Sequence, residues 1–137
     1  MSFREKSAWI TLVTVVGCFG VYFGALFSGL VRRGFGEVHL LLACVLALAL
    51  LQLGLGFVAA RTTPKDGLAP RDEREILIQA RSHAIGYHLL IVLVLAATAS
   101  GHLGRSVVDM MNLMMLAIVL AVATVAIAQI IMFRRGW

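Results

Sequence analysis

Charge is scarce in this chain and absent from most of its length. Asp, Glu, Lys and Arg make up 14% of the 137 residues, against about 25% in soluble domains. None of them occurs in residues 7–31, 38–60, 82–104 or 110–133, runs of 25, 23, 23 and 24 residues. Each run exceeds the ~20 residues that a helix needs to cross the hydrocarbon core of a bilayer. The apolar fraction of 61% is also far above the ~45–50% of soluble proteins. A water-soluble fold is therefore excluded, and four membrane-spanning helices are expected. Proline is confined to Pro64 and Pro70, between the second and third runs. The two cysteines, Cys18 and Cys44, fall in separate runs at depths differing by roughly 7 Å, so two buried, inert thiols are expected rather than a disulfide. The first run is too long for a secretory signal and ends in no small-residue cleavage pattern, so it reads as a span.

The charges that are present cluster at the ends of the runs. With both termini on one side, that side holds Arg4, Lys6, Arg61, Lys65, Arg71, Arg74, Arg81, Arg134 and Arg135, whereas the other holds Arg32, Arg33 and Arg105. The bias places the termini and the central loop in the cytoplasm by the positive-inside rule. The net charge of +5 is thus a topology signal first and a contact for anionic lipid second. It does not call for nucleic acid.

Along the chain, Trp9 suits an interfacial belt position. Gly17, Gly20, Gly24 and Ser28 form one stripe on the first span, beside Phe19, Phe23 and Phe27. Small residues let helix backbones approach where lipid removes the hydrophobic drive, so this stripe is a candidate packing face, within the chain or in a dimer. Residues 31–37 read as a tight outer turn with Gly34 and Gly36 as breakers. The second span carries Gln52, Gly54 and Gly56, and residues 61–69 form a loop punctuated by Pro64 and Gly67.

Residues 70–87 stand apart. Pro70 suits a first helical turn; alternatively, Asp72 caps the helix, with Glu75 three residues on completing a capping box. Arg71, Asp72, Glu75, Gln79 and Ser82 share one face of a helical wheel, whereas Ile76, Leu77, Ala80, Ala84 and Tyr87 share the opposite one. This pattern predicts an amphipathic cytoplasmic extension running straight into the third span. Arg74 and Arg81 lie at the border, where long side chains reach phosphates. Glu73 falls on the apolar side, where inward packing would demand a cationic partner. Asp72, Glu73, Arg74, Glu75 and Arg81 together make the candidate partner-binding surface. Ser106 and Asp109 form a second capping box, opening the fourth span.

Few residues suggest chemistry. His39 and His102 lie near the outer ends of their spans, the one histidine pair at a depth suited to axial haem ligation. Met110, Met111, Met114 and Met115, with Asp109, Asn112, His39 and His102, offer a soft outer-face copper site as an alternative. Flexible core packing is the plainer reading of the methionines, and hydrogen bonding that of the histidines. No cofactor is required by these residues. His83 and His88 point about 140° apart on a helix, and the Ser82-His83 pair about 100° apart, too far for a nucleophile and its base. A small transporter or channel is a further alternative, with Gln52 and Glu73 as the residues to alter. Small multidrug exporters have this length and span count, but ion-coupled transport generally uses a carboxylate inside the membrane. All seven acids are read as lying outside the spans.

The start Met1-Ser2-Phe3-Arg4-Glu5-Lys6-Ser7-Ala8-Trp9, the run Asp72-Glu73-Arg74-Glu75 and the tail Arg134-Arg135-Gly136 resemble those of small four-span bacterial inner-membrane proteins of uncharacterised function. The resemblance implies four spans with both termini inside. Because such proteins are often encoded beside small helix-turn-helix regulators, it also implies a membrane protein able to hold one. Ser82-His83 after Arg81 departs from the more basic run expected there. The expectation is a non-enzymatic, all-α membrane protein, a single domain over 1–137. Its four spans, about 7–31, 38–60, 82–104 and 107–133, form a bundle, with a cytoplasmic loop and helix at 61–81. It would act as a regulatory or accessory subunit for a membrane or cytoplasmic partner.

Overall fold

The computed structural model describes residues 3–31, 35–62 and 72–135. The chain is all-α: α1 (Phe3–Phe27), α2 (Phe35–Thr62), α3 (Glu73–Ala99), a short 3-10 turn (Ser100–Leu103) and α4 (Val107–Arg135). There is no strand among the described residues. All four helices are long and apolar enough to cross a membrane. The helices form two compact units, Met1–Ala69 and Pro70–Trp137, each a helical hairpin. The Arg61–Ala69 loop beyond Thr62, with Pro64 and Gly67, lies outside the described residues, as do Arg32, Arg33, Gly34, Pro70 and Arg71. The tail's Gly136 and Trp137 and the start's Met1 and Ser2 do so too.

In the first hairpin, α1 buries Ala8, Val15, Phe19 and Tyr22, together with Thr14. The 7-4-3 spacing of the apolar four is the repeat of a helix seam that keeps one line facing its neighbour. The matching line on α2 is Glu37, Cys44 and Ala59, all buried, with Leu41, Leu48, Gln52 and Gly56 half-buried between them. The candidate packing stripe is placed elsewhere. Gly17, Gly20, Gly24 and Ser28 are exposed, and a methyl group added to any of the three glycines would meet nothing within 4 Å. The large side chains Phe19 and Tyr22 make this hairpin's seam, so close backbone approach is not what joins α1 to α2.

The turn after α1 also differs from expectation. Helix α1 stops at Phe27, and Gly29 takes a left-handed backbone with φ 71°. The Ser28 and Gly29 amides donate back to Gly24 O (3.0 Å) and Leu26 O (3.3 Å), closing the helix end. Gly36, read as a breaker, lies inside α2. A glycine ends a helix where it adopts the left-handed region, which side-chain-bearing residues avoid; Gly29 meets that need.

The second hairpin packs more closely. Helix α3 buries Ile78, Ser82, Gly86 and Ala97, and α4 buries Ala117, Val119, Ala121, Ala126 and Ile130. Ser82 and Gly86, one turn apart, let the two backbones approach, as small residues do between membrane helices. Gly101 is crossed by the Met110 side chain, whose Sδ would lie 2.9 Å from a Cβ at that position. Met110 thus contributes to packing at this end of the hairpin, whereas Met111 is 65% exposed. Gly104, with φ 77°, terminates the 3-10 turn.

Candidate functional site

Helix α3 begins at Glu73 and continues unbroken to Ala99, so the charged stretch is a rigid prolongation of the third span. Asp72 occupies the N-cap with extended backbone, φ −68° and ψ 145°, but its carboxylate makes no capping hydrogen bond. The expected capping box is therefore not formed there. The Asp72 carbonyl accepts the first intrahelical hydrogen bond, from Ile76 N at 3.1 Å. The Ser106 cap is formed: Ser106 Oγ accepts from Asp109 N at 3.1 Å.

The wheel faces of α3 are used in the opposite sense to a soluble amphipathic helix. Ser82, on the polar face, is wholly buried, and Glu75 and Gln79 on the same face are half-buried. The apolar face is the open one: Ile76 is 50% exposed, Leu77 49% and Tyr87 62%. Lipid, not water, is the solvent for most of this helix, so apolar side chains lose nothing by facing outwards. Ser82 satisfies its hydroxyl by donating to Gln79 O at 2.9 Å. Glu73 is exposed, so the inward packing that would have demanded a counter-charge does not arise. Arg74 and Arg81 are exposed as well. Asp72, Glu73, Arg74 and Arg81 thus present an open charged surface flanked by Ile76 and Leu77, with Glu75 turned partly inwards.

The histidines are accounted for locally. His83 Nδ1 and His88 Nδ1 donate to carbonyls one turn back, Gln79 O at 2.8 Å and Ala84 O at 2.6 Å. His39 and His102 are both exposed, His39 on the first hairpin and His102 on the second. Among the described residues no group of three His, Cys, Asp or Glu side chains is arranged to hold a metal ion. The hydroxyls of Thr14, Thr98 and Thr124 donate to carbonyls four residues back, at 2.7–2.8 Å. Cys18 and Cys44 are free thiols, half-buried and buried. On the second hairpin a wholly apolar groove of about 190 Å³ lies between α3 and α4, lined by Leu93, Ala96, Ala97, Leu113, Leu116, Ala117 and Leu120.

One residue overlooked in the sequence stands out. Glu37 lies not in the turn that the charge pattern predicts but in α2, which starts at Phe35, and within the candidate span Gly36–Thr62. Glu37 is only 5% exposed, and its Oε1 has no hydrogen-bond partner among the described residues. On α1, Tyr22 is likewise buried, 2% exposed. Glu37 falls seven residues before Cys44 on the buried line of α2, and that spacing was the signal available.

No family model, curated protein or solved structure matches this chain.

Proposed function

We propose that this multi-pass membrane protein is a non-enzymatic regulatory or accessory subunit of the bacterial inner membrane, with both termini and the α2–α3 connection in the cytoplasm. The observation that supports the partner-binding reading is the rigid start of α3. There Glu73, Arg74 and Arg81 are exposed beside Ile76 and Leu77. A preformed helix end loses little conformational entropy on docking, and its alternating charges favour one orientation of the partner. The basic bias of the same side supports the cytoplasmic placement.

The test is affinity purification of the full chain from its own membranes in mild detergent, with identification of the proteins retained. Reversing Arg74 and Glu75 together (Arg74→Glu with Glu75→Arg) keeps the net charge and should remove the retained partner while membrane insertion is unchanged. Equal recovery of that partner with the reversed chain rules out docking through this helix end.

A further inference from the structure

We propose that the groove between α3 and α4 holds an acyl chain of a membrane phospholipid whose phosphate rests on Arg105. The groove, about 190 Å³, is bounded by Leu and Ala side chains alone. An apolar cavity of ~150 Å³ stays dry yet takes up a molecule the size of benzene, so the natural filling here is hydrocarbon. Size decides which hydrocarbon. A helix ~10 Å across displaces about 120 Å³ per residue of its length, so the groove has room for fewer than two residues of a packed helix. A methylene group takes about as much space as a water molecule, ~30 Å³, and the same volume suits roughly six methylenes of an extended chain. Ala96, Ala97 and Ala117 create the room, since a longer apolar side chain at any of them would narrow the gap between the helices.

Charge decides how the chain is held. Arg105 is exposed and is the one Lys or Arg between Arg81 and Arg134. It lies in the connection from α3 to α4, between Leu103 and Val107, which are both exposed apolar residues. An exposed base with apolar residues on either side suits the level at which a bilayer's tails give way to its phosphates. Along α4, the groove residues Leu113 and Leu120 lie about 9 and 20 Å from Val107, at 1.5 Å per residue. That stretch falls within the ~20 Å from the headgroups of one leaflet to the bilayer midplane. A phosphate at Arg105 therefore brings its acyl chain down to the depth of the groove.

The experiment reconstitutes the full chain into phosphatidylglycerol vesicles in which a small fraction of the lipid carries a photoactivatable diazirine on its acyl chain. Cross-links are mapped by mass spectrometry. Labelling should concentrate on Leu113, Leu116 and Leu120, above that of the exposed Leu46, Leu50 and Leu53 of α2. Arg105→Gln should lower groove labelling about fivefold relative to α2, and Arg105→Lys should retain most of it. Ala96→Phe, which fills the groove from an exposed position, should lower it with Arg105 intact. A diacylglycerol probe, which has the chains without the phosphate, should label the groove and α2 alike. Three outcomes would each overturn the assignment: groove labelling no higher than that of α2, groove residues left unlabelled because another helix covers them, or equal groove labelling in Arg105→Gln. The comparison of groove with α2 is made within the unaltered chain, so a variant that fails to insert does not protect the idea.

Discussion

Gly86 of α3 and Val125 of α4 touch with no space for a side chain between them: a Cβ on Gly86 would run into Val125 Cγ2 and stand 3.3 Å from the Ala121 carbonyl oxygen. Valine has no flexible end to swing away, and the carbonyl belongs to the α4 backbone. The contact therefore sets how near the two helices of the second hairpin come.

Gly86→Ala should accordingly destabilise the second hairpin by about 1–3 kcal/mol, the range for adding a methyl group to a packed interior. The measurement is the midpoint of thermal or denaturant unfolding in detergent. Val125→Ala placed in the Gly86→Ala background should recover part of the loss, because it empties the space the new methyl occupies. A double-mutant cycle isolates that coupling.

The glycine stripe of α1 makes the opposite prediction. Gly17, Gly20 and Gly24 have nothing within 4 Å of an added Cβ. Alanine at each should leave the hairpin intact and raise stability by roughly 0.5–1 kcal/mol, since glycine in a helix interior costs about that much. If the stripe is a face between copies of the chain, triple substitution by leucine will also shift the oligomer seen by light scattering in detergent, whereas the unfolding midpoint will not fall.

The two capping sequences should behave differently despite their similar spelling. Ser106→Ala removes an Oγ acceptor bonded to Asp109 N at 3.1 Å and should cost on the order of 1 kcal/mol. Asp72→Ala removes a carboxylate that makes no capping bond, and its effect should stay within about 0.5 kcal/mol. Comparing the two unfolding midpoints under identical conditions checks both.

The four helices were legible because a bilayer imposes one condition on long segments, freedom from charge, and runs such as 38–60 meet it without exception. The orientation of α3 was not. A wheel with Glu75, Gln79 and Ser82 opposite Ile76 and Leu77 looks the same whether water or lipid is outside, and the buried face was Ser82's. Glu37 was missed for a related reason. Counting from the last charged residue sets the span boundary at Val38, which by construction leaves every acid outside. Only the helix start at Phe35, together with the burial of the side chain, shows that this acid belongs to the α2 seam. Likewise, sequence spacing cannot tell which of Gly29 and Gly36 takes the left-handed backbone, because that depends on where α1 ends.

The turn glycines supply the sharpest check on that last point. Gly29 and Gly104 both adopt positive φ, 71° and 77°, and neither would meet a neighbour within 4 Å if it carried a Cβ. Any penalty for alanine at these positions is thus one of backbone conformation alone, about 1–2 kcal/mol for a residue forced into the left-handed region. Asparagine, which tolerates that region, should recover part of the loss at each site. Gly36 is the second residue of α2, and among the described residues an added Cβ meets Val31 Cγ1 at 3.2 Å, so Gly36→Ala should be close to neutral, its helix-propensity gain offsetting a small adjustment of Val31. A ranking of unfolding midpoints with Gly29→Ala below Gly29→Asn, and Gly36→Ala near the unaltered chain, places the chain reversal at Gly29. A larger loss at Gly36 than at Gly29 would move it to the start of α2.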